Sequence, residues 1–194
     1  MTLPHIYLAS GSPRRQELLT QIGVNFSTLS VEVDETYQQG ELPEVYVTRL
    51  AIAKAQAGWR SDKRITMYPV LGADTSVVVN GTVFGKPKNK VDARKMLMSL
   101  SGQTHQVITG VALVTEHAVL TSVSHNSVTF SSLTDAEIEW YISTGEGNDK
   151  AGGYAVQGLS AMFIDSINGS YSGIMGLPVR ETYQLLLQLN ERKQ

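Results

Sequence analysis

Cysteine is absent from the 194 residues, so disulfides, thiol nucleophiles and thiolate metal sites are excluded. Histidine is scarce. The four present, His5, His105, His117 and His125, form no HExxH zinc pattern, and His105 and His125 lie in or near strand-like runs without a triad partner close by. No apolar run approaches the ~18 residues of a membrane span, and the first residues lack the basic start and apolar stretch of a signal peptide; both features predict a cytoplasmic protein with no membrane partner. Excess charge is also missing: 16 basic against 18 acidic residues leave a formal net charge of -2, so an anionic partner has to be recognised locally. The basic residues are dispersed over Arg14-Arg15, Arg60/Lys63/Arg64 and Lys86-Lys88-Lys90, which predicts no stable nucleic-acid partner. Neither a GxxxxGK[ST] loop nor a GxGxxG fingerprint occurs, although "KAGGYAVQG" is rich in glycine.

What is present alternates between strand and helix patterns, at a length that suits one domain or two small lobes around a cleft. Ile6–Leu8 reads as a strand, followed by a turn and a helix over 14–22 with Ser12 as N-cap and Pro13 at the first helical position. A strand is expected over 24–31, a helix over 43–60, and a strand at "YPVLGADTSVVV" that folds back through Asn80-Gly81 into "TVFG". A helix over 89–100, two long strands over 105–115 and 119–130, and a helix whose Thr134 and Glu137 have capping-box spacing come next. A strand at "AMFIDSING" and a final helix from Pro178 complete an α/β protein with a mixed, strongly twisted sheet and flanking helices.

Several polar residues are not explained by apolar patterning. Backbone donors at the start of the first helix, the hydroxyls of Ser10 and Ser12, and the guanidinium groups of Arg14 and Arg15 suit an anion, phosphate above all. Asp74 follows "VLGA", where a buried strand should end. A carboxylate there is a general base, a metal ligand, or a turn residue bonded to backbone. "VEVDET" supplies Glu32, Asp34 and Glu35, either a solvated loop or oxygen ligands for a hard divalent cation. Lys54 sits in a small-residue helix and Lys86 in "FGKPK", and either side chain can snorkel to water.

Taken in order, "LASGSPRRQELL", "VDET", "VTRLAIAKA", "GADTSV", "GKP", "LSGQTHQVITGVAL", "DKAGGYAVQG" and "INGSYSGIMGLPV" resemble the Maf family of nucleoside triphosphate pyrophosphatases, over about residues 6 to 187. The resemblance implies a single catalytic domain over 1–194, two lobes around a central cleft, a homodimer, and cleavage of a nucleoside triphosphate between the α and β phosphates with Mg2+ or Mn2+. It implies that Asp74 accepts the proton and also contacts metal. Glu35 would bind metal, Lys54 and Lys86 would support the polyphosphate, and Ser10, Arg14 and Arg15 would hold phosphate. Arg14, Thr75 and Gln157 match the subgroup that prefers dTTP and UTP, while the subgroup acting on 7-methyl-GTP carries tryptophan, glutamine and glutamate there. The Gln157 amide both donates and accepts, as the O4 and N3–H edge of thymine or uracil requires. Relatives commonly carry an arginine after "VTF", where this chain has Ser131. A 7-methyl-GTP pyrophosphatase and a nucleotide-binding regulator of cell division are the alternatives.

Overall fold

The computed structural model describes residues 3–191; the first two and last three residues of the expected 1–194 domain lie outside the described residues. The elements are β1 (Ile6–Leu8), α1 (Pro13–Gln21), β2 (Phe26–Thr28), α2 (Pro43–Trp59), β3 (Val70–Val79), β4 (Thr82–Phe84), α3 (Lys90–Leu100), β5 (Thr104–Val114), β6 (Val119–Phe130), α4 (Asp135–Thr144), β7 (Ile164–Asn168), α5 (Tyr171–Met175) and α6 (Val179–Glu191). The strands form an open, twisted sheet in the order β2-β1-β3-β5-β6-β7, with β4 paired to β3. It is mixed, as expected: β1 runs parallel to β2 and β3, whereas β4 is antiparallel to β3 and β7 to β6. No helix among the described residues is long and apolar enough to cross a membrane.

Local chemistry accounts for most boundaries. The β3–β4 turn takes positive φ at both central residues, 49° at Asn80 and 77° at Gly81, which is what a two-residue hairpin loop demands. The Asn89 side chain accepts from the Asp92 N–H and starts α3. Thr134 and Glu137 form the anticipated capping box on α4. Ser12 occupies the N-cap position of α1, but its side chain makes no cap bond; its own N–H donates instead to Ser10 Oγ at 3.2 Å.

Three expectations need correction, and one short helix is added. Of the strand expected over 24–31, β2 covers only 26–28, because the chain leaves the sheet before the acidic loop. Asp74 is not at a strand end: it is the fifth of ten residues in β3, buried at 8% exposure. Residues 159–163 form a 3-10 turn ahead of a β7 that starts at Ile164, and the short α5 has too few residues to show a helical period.

The chain divides into two compact units. The first holds the described residues up to Asp74, Thr109–Ser124 and those from Gly176 on; the second holds Thr75–Ile108 and His125–Met175. In the first, α2 lies directly on strand backbone. A β-carbon on Gly72 would fall 2.3 Å from the Ala51 carbonyl oxygen, and one on Gly110 would fall 2.7 Å from the Val47 oxygen. The second unit has an apolar core of Val77, Leu97, Leu100, Phe130, Ile138, Tyr141 and Phe163 with their neighbours. His105 is buried there, its Nε2 2.7 Å from the Tyr154 hydroxyl, and burial pulls its pKa down to about 4. It is a structural, neutral histidine. Ser131 donates its hydroxyl to Asp165, so the position after "VTF" faces a carboxylate.

Candidate active site

The first unit gathers five of the sequence-predicted residues, and the glycine contacts explain how. With no side chain at Gly72, Ala51 and Ala55 of α2 settle against β3, and Lys54 on the same helix reaches Asp74, two residues further along the strand. Lys54 Nζ lies 2.6 Å from Asp74 Oδ1 and 2.7 Å from Glu35 Oε1. The Lys54 and Asp74 side chains are 13% and 11% exposed, whereas Glu35 is 48% exposed on the loop after β2. One ammonium therefore bridges two carboxylates that come from different elements.

Arg15, the third residue of α1, donates from Nε to the Gly176 carbonyl at 2.8 Å and from Nη1 to Ser10 Oγ at 3.1 Å. It ties the β1–α1 loop to the start of the C-terminal segment. Arg14, its neighbour on α1, enters none of these hydrogen bonds and is partly buried. Thr75, Lys86 and Gln157 belong to the second unit: Thr75 is half-buried on β3, and Lys86 and Gln157 are exposed on loops.

Burial sets the electrostatics. It holds the Asp74 carboxyl above the ordinary carboxylate range, against the pull of Lys54 and Arg15, while Glu35 adds to the rise. Burial also draws the Arg15 guanidinium down, opposed by Asp74 and Glu35. A buried carboxylate of raised basicity, oriented by a short ammonium contact, has the properties of a general base.

Two residues that sequence reading passed over shape the acidic loop. Tyr46 donates its hydroxyl to the Glu35 carbonyl at 2.8 Å; its pKa is pushed up to about 12, mainly by burial and then by Asp74 and Glu35, so it stays a donor. Arg49 grips Glu41 bidentately along one guanidinium edge, from Nε at 2.7 Å and Nη2 at 2.8 Å, and Nη2 also reaches the Thr36 carbonyl at 3.1 Å. The signal was available as a tyrosine and an arginine three apart on α2, one turn before Lys54. Tyr46→Phe removes a neutral hydrogen bond of about 1 kcal/mol that fixes Glu35, so kcat/KM is expected to fall about fivefold. Steady-state kinetics on the folded variant check this, and an unchanged kcat/KM would mean that the loop holds without Tyr46.

Metal chemistry suits the same two carboxylates. Among the described residues no three Asp, Glu, His or Cys side chains gather to hold an ion. Asp74 and Glu35 already share one cation, the Lys54 ammonium, and two hard carboxylates complemented by water and phosphate oxygens are what Mg2+ commonly takes.

The sequence has close counterparts among known proteins. The model of the family described as Maf-like protein matches residues 5–189. A protein of Alkalilimnicola ehrlichii named dTTP/UTP pyrophosphatase is 54% identical over 187 residues, covering 94% of this chain and 92% of the relative. One of the same name from Pseudoalteromonas atlantica is 52% identical over 186 residues, covering 95% and 97%. Among solved structures, the Ham1 protein of Staphylococcus aureus matches with a TM-score of 0.45 at 17% identity over 65% of this chain and 71% of that one, too slight a likeness to carry an argument. With the family model spanning nearly the whole chain and relatives this similar along their full lengths, the protein belongs to the Maf-like family.

Proposed function

We propose that the protein is a nucleoside triphosphate pyrophosphatase that hydrolyses dTTP and UTP between the α and β phosphates, giving the nucleoside monophosphate and pyrophosphate. Two similar relatives bear the name dTTP/UTP pyrophosphatase, and the observation that carries the mechanism is the buried Asp74 carboxylate held by Lys54 beside Glu35. Asp74 orients a water and takes its proton as the oxygen attacks the α phosphorus; the P–O bond to the β phosphate breaks and pyrophosphate leaves. Lys54 keeps Asp74 ionised and offsets charge on the polyphosphate. Arg15 and Ser10 present donors to phosphate oxygens, joined by Arg14. Glu35 and Asp74 would hold Mg2+ or Mn2+, which would supply Lewis-acid polarisation of the phosphate oxygens.

In the second unit, Lys86 supports the leaving pyrophosphate, and Thr75 and Gln157 with Arg14 select the base. The whole chain acts as one catalytic domain in a homodimer, in the cytoplasm, with the two-lobed cleft that the family resemblance implies. Modified pyrimidine nucleoside triphosphates fall within the same substrate class.

Product chromatography tests this directly. The pure protein is incubated with dTTP, UTP, CTP, dCTP, GTP, ATP and 7-methyl-GTP, with and without Mg2+ or Mn2+. Monophosphate and pyrophosphate from dTTP and UTP are the expected products. Diphosphate and orthophosphate would place the attack at the γ phosphate. Selective cleavage of 7-methyl-GTP would overturn the base assignment, and binding without turnover would favour a regulatory nucleotide sensor.

A further inference from the structure

The loop that presents Gln157 is held from two sides, and one holder is a carboxylate with no part in the chemistry above. Ser160 Oγ donates to the Ala155 carbonyl at 2.6 Å and accepts from the Ala155 N–H at 3.2 Å, which closes residues 155–160 into a ring. Its outer side is caught by Glu146, two residues past the end of α4. Glu146 Oε2 accepts from the Leu159 N–H at 2.9 Å, and Oε1 accepts from the buried Tyr141 hydroxyl at 3.0 Å. Tyr141 also interacts with Ser160 and with the Ala155 backbone, so the two holders share one hydroxyl. The fit is close: a β-carbon on Gly158 would lie 2.5 Å from Glu146 Oε1. Gln157 is exposed between buried Val156 and this clamp.

An amide that reads a base through its donor and acceptor works only if its backbone is fixed, because misplacement of about 1 Å costs much of the benefit. Packing fixes the Val156 side, and the Leu159 N–H bond to Glu146 fixes the other. We infer that Glu146 is a positioning residue for base selection, acting through Leu159 and Gly158 on Gln157. The inference rests on the proposal that Gln157 reads the pyrimidine.

The test compares Glu146→Ala, Glu146→Gln and Gln157→Ala in steady-state kinetics with dTTP, UTP, CTP and GTP, alongside thermal melting. Glu146→Ala is expected to raise KM for dTTP and UTP about tenfold, to lower their advantage over CTP and GTP by a similar factor, and to leave kcat within about twofold. Glu146→Gln keeps an acceptor for Leu159 and restores most of the preference. Should Gln157→Ala change the preference while Glu146→Ala leaves it intact, the positioning role is overturned and the base-reading role stands. Should Gln157→Ala leave the preference unchanged, both fall. If Glu146→Ala does not fold, Gly158→Ala, whose methyl displaces the carboxylate, takes its place with the same expected loss of preference; retained preference in that variant would overturn the inference.

Discussion

Asp74→Asn is expected to fold and to lose about 10³-fold in turnover of dTTP, since removing a positioned general base typically costs 10²–10⁴-fold. The isosteric amide retains an oxygen for Lys54, which also keeps its 2.7 Å contact to Glu35, so the loss reports on proton acceptance rather than on collapse of the cluster. Near-parental kcat would remove Asp74 from the role of base. The pH dependence carries the same assignment. Burial raises the Asp74 pKa, so the acid limb of kcat/KM should lie above the ordinary aspartate value of about 3.9. Lys54→Met should move it higher still, because Lys54 is the largest influence holding it down.

Linkage gives an independent sign. A carboxyl whose folded pKa is raised stabilises the fold below its unfolded pKa and loses that contribution as pH rises through the folded value. The asparagine variant has no such loss. Its melting temperature relative to the parent should therefore climb as pH increases from about 4 through the acid limb. A relative melting temperature that fell over that window would contradict the raised pKa.

Gly72→Ala is expected to be the most damaging single-methyl change in the first unit. The new β-carbon would meet the Ala51 oxygen at 2.3 Å, the Ala55 nitrogen at 2.6 Å and the Ala55 β-carbon at 3.0 Å, none of which is a flexible side-chain end that can swing away. Helix α2 must lift from β3. Overpacking costs ~1–3 kcal/mol and occasionally more, and a backbone obstacle belongs at the upper end. For a chain of this size, about 3 kcal/mol lowers Tm by roughly 6–12 °C. Because Lys54 travels with α2, kcat should fall along with stability. Gly85→Ala is the control, since nothing lies within 4 Å of its would-be β-carbon, and its melting temperature should match the parent's. Equal melting temperatures for the two variants would show that α2 has slack over β3.

These contacts also explain what the residues alone could and could not reveal. Asn80-Gly81 and the Thr134/Glu137 pair announce their structures because the chemistry is local: a turn and a cap are closed within four residues. Asp74 announced itself as an apolar-context carboxylate inside the run "YPVLGADTSVVV", but a charged residue after "VLGA" reads as the end of a buried strand, and only the structure shows that β3 continues through it to Val79. The bridge from Glu35 through Lys54 to Asp74 spans three elements. Its distances follow from helix-on-strand contact at Gly72, which no periodicity encodes. Tyr46 and Arg49 were hidden for the same reason, since the partners that give them purpose are the carbonyls of Glu35 and Thr36 on a loop without regular structure.

The bridged cluster also fixes a charge balance. Lys54 and Arg15 contribute two positive charges, Asp74 and Glu35 two negative ones, and these four groups sum to zero before any nucleotide arrives. A neutral cluster offers no surplus attraction to a triphosphate carrying several negative charges. On the proposed reading, the countercharge therefore falls to groups outside it: Arg14, Lys86 and the cation that the nucleotide carries with it.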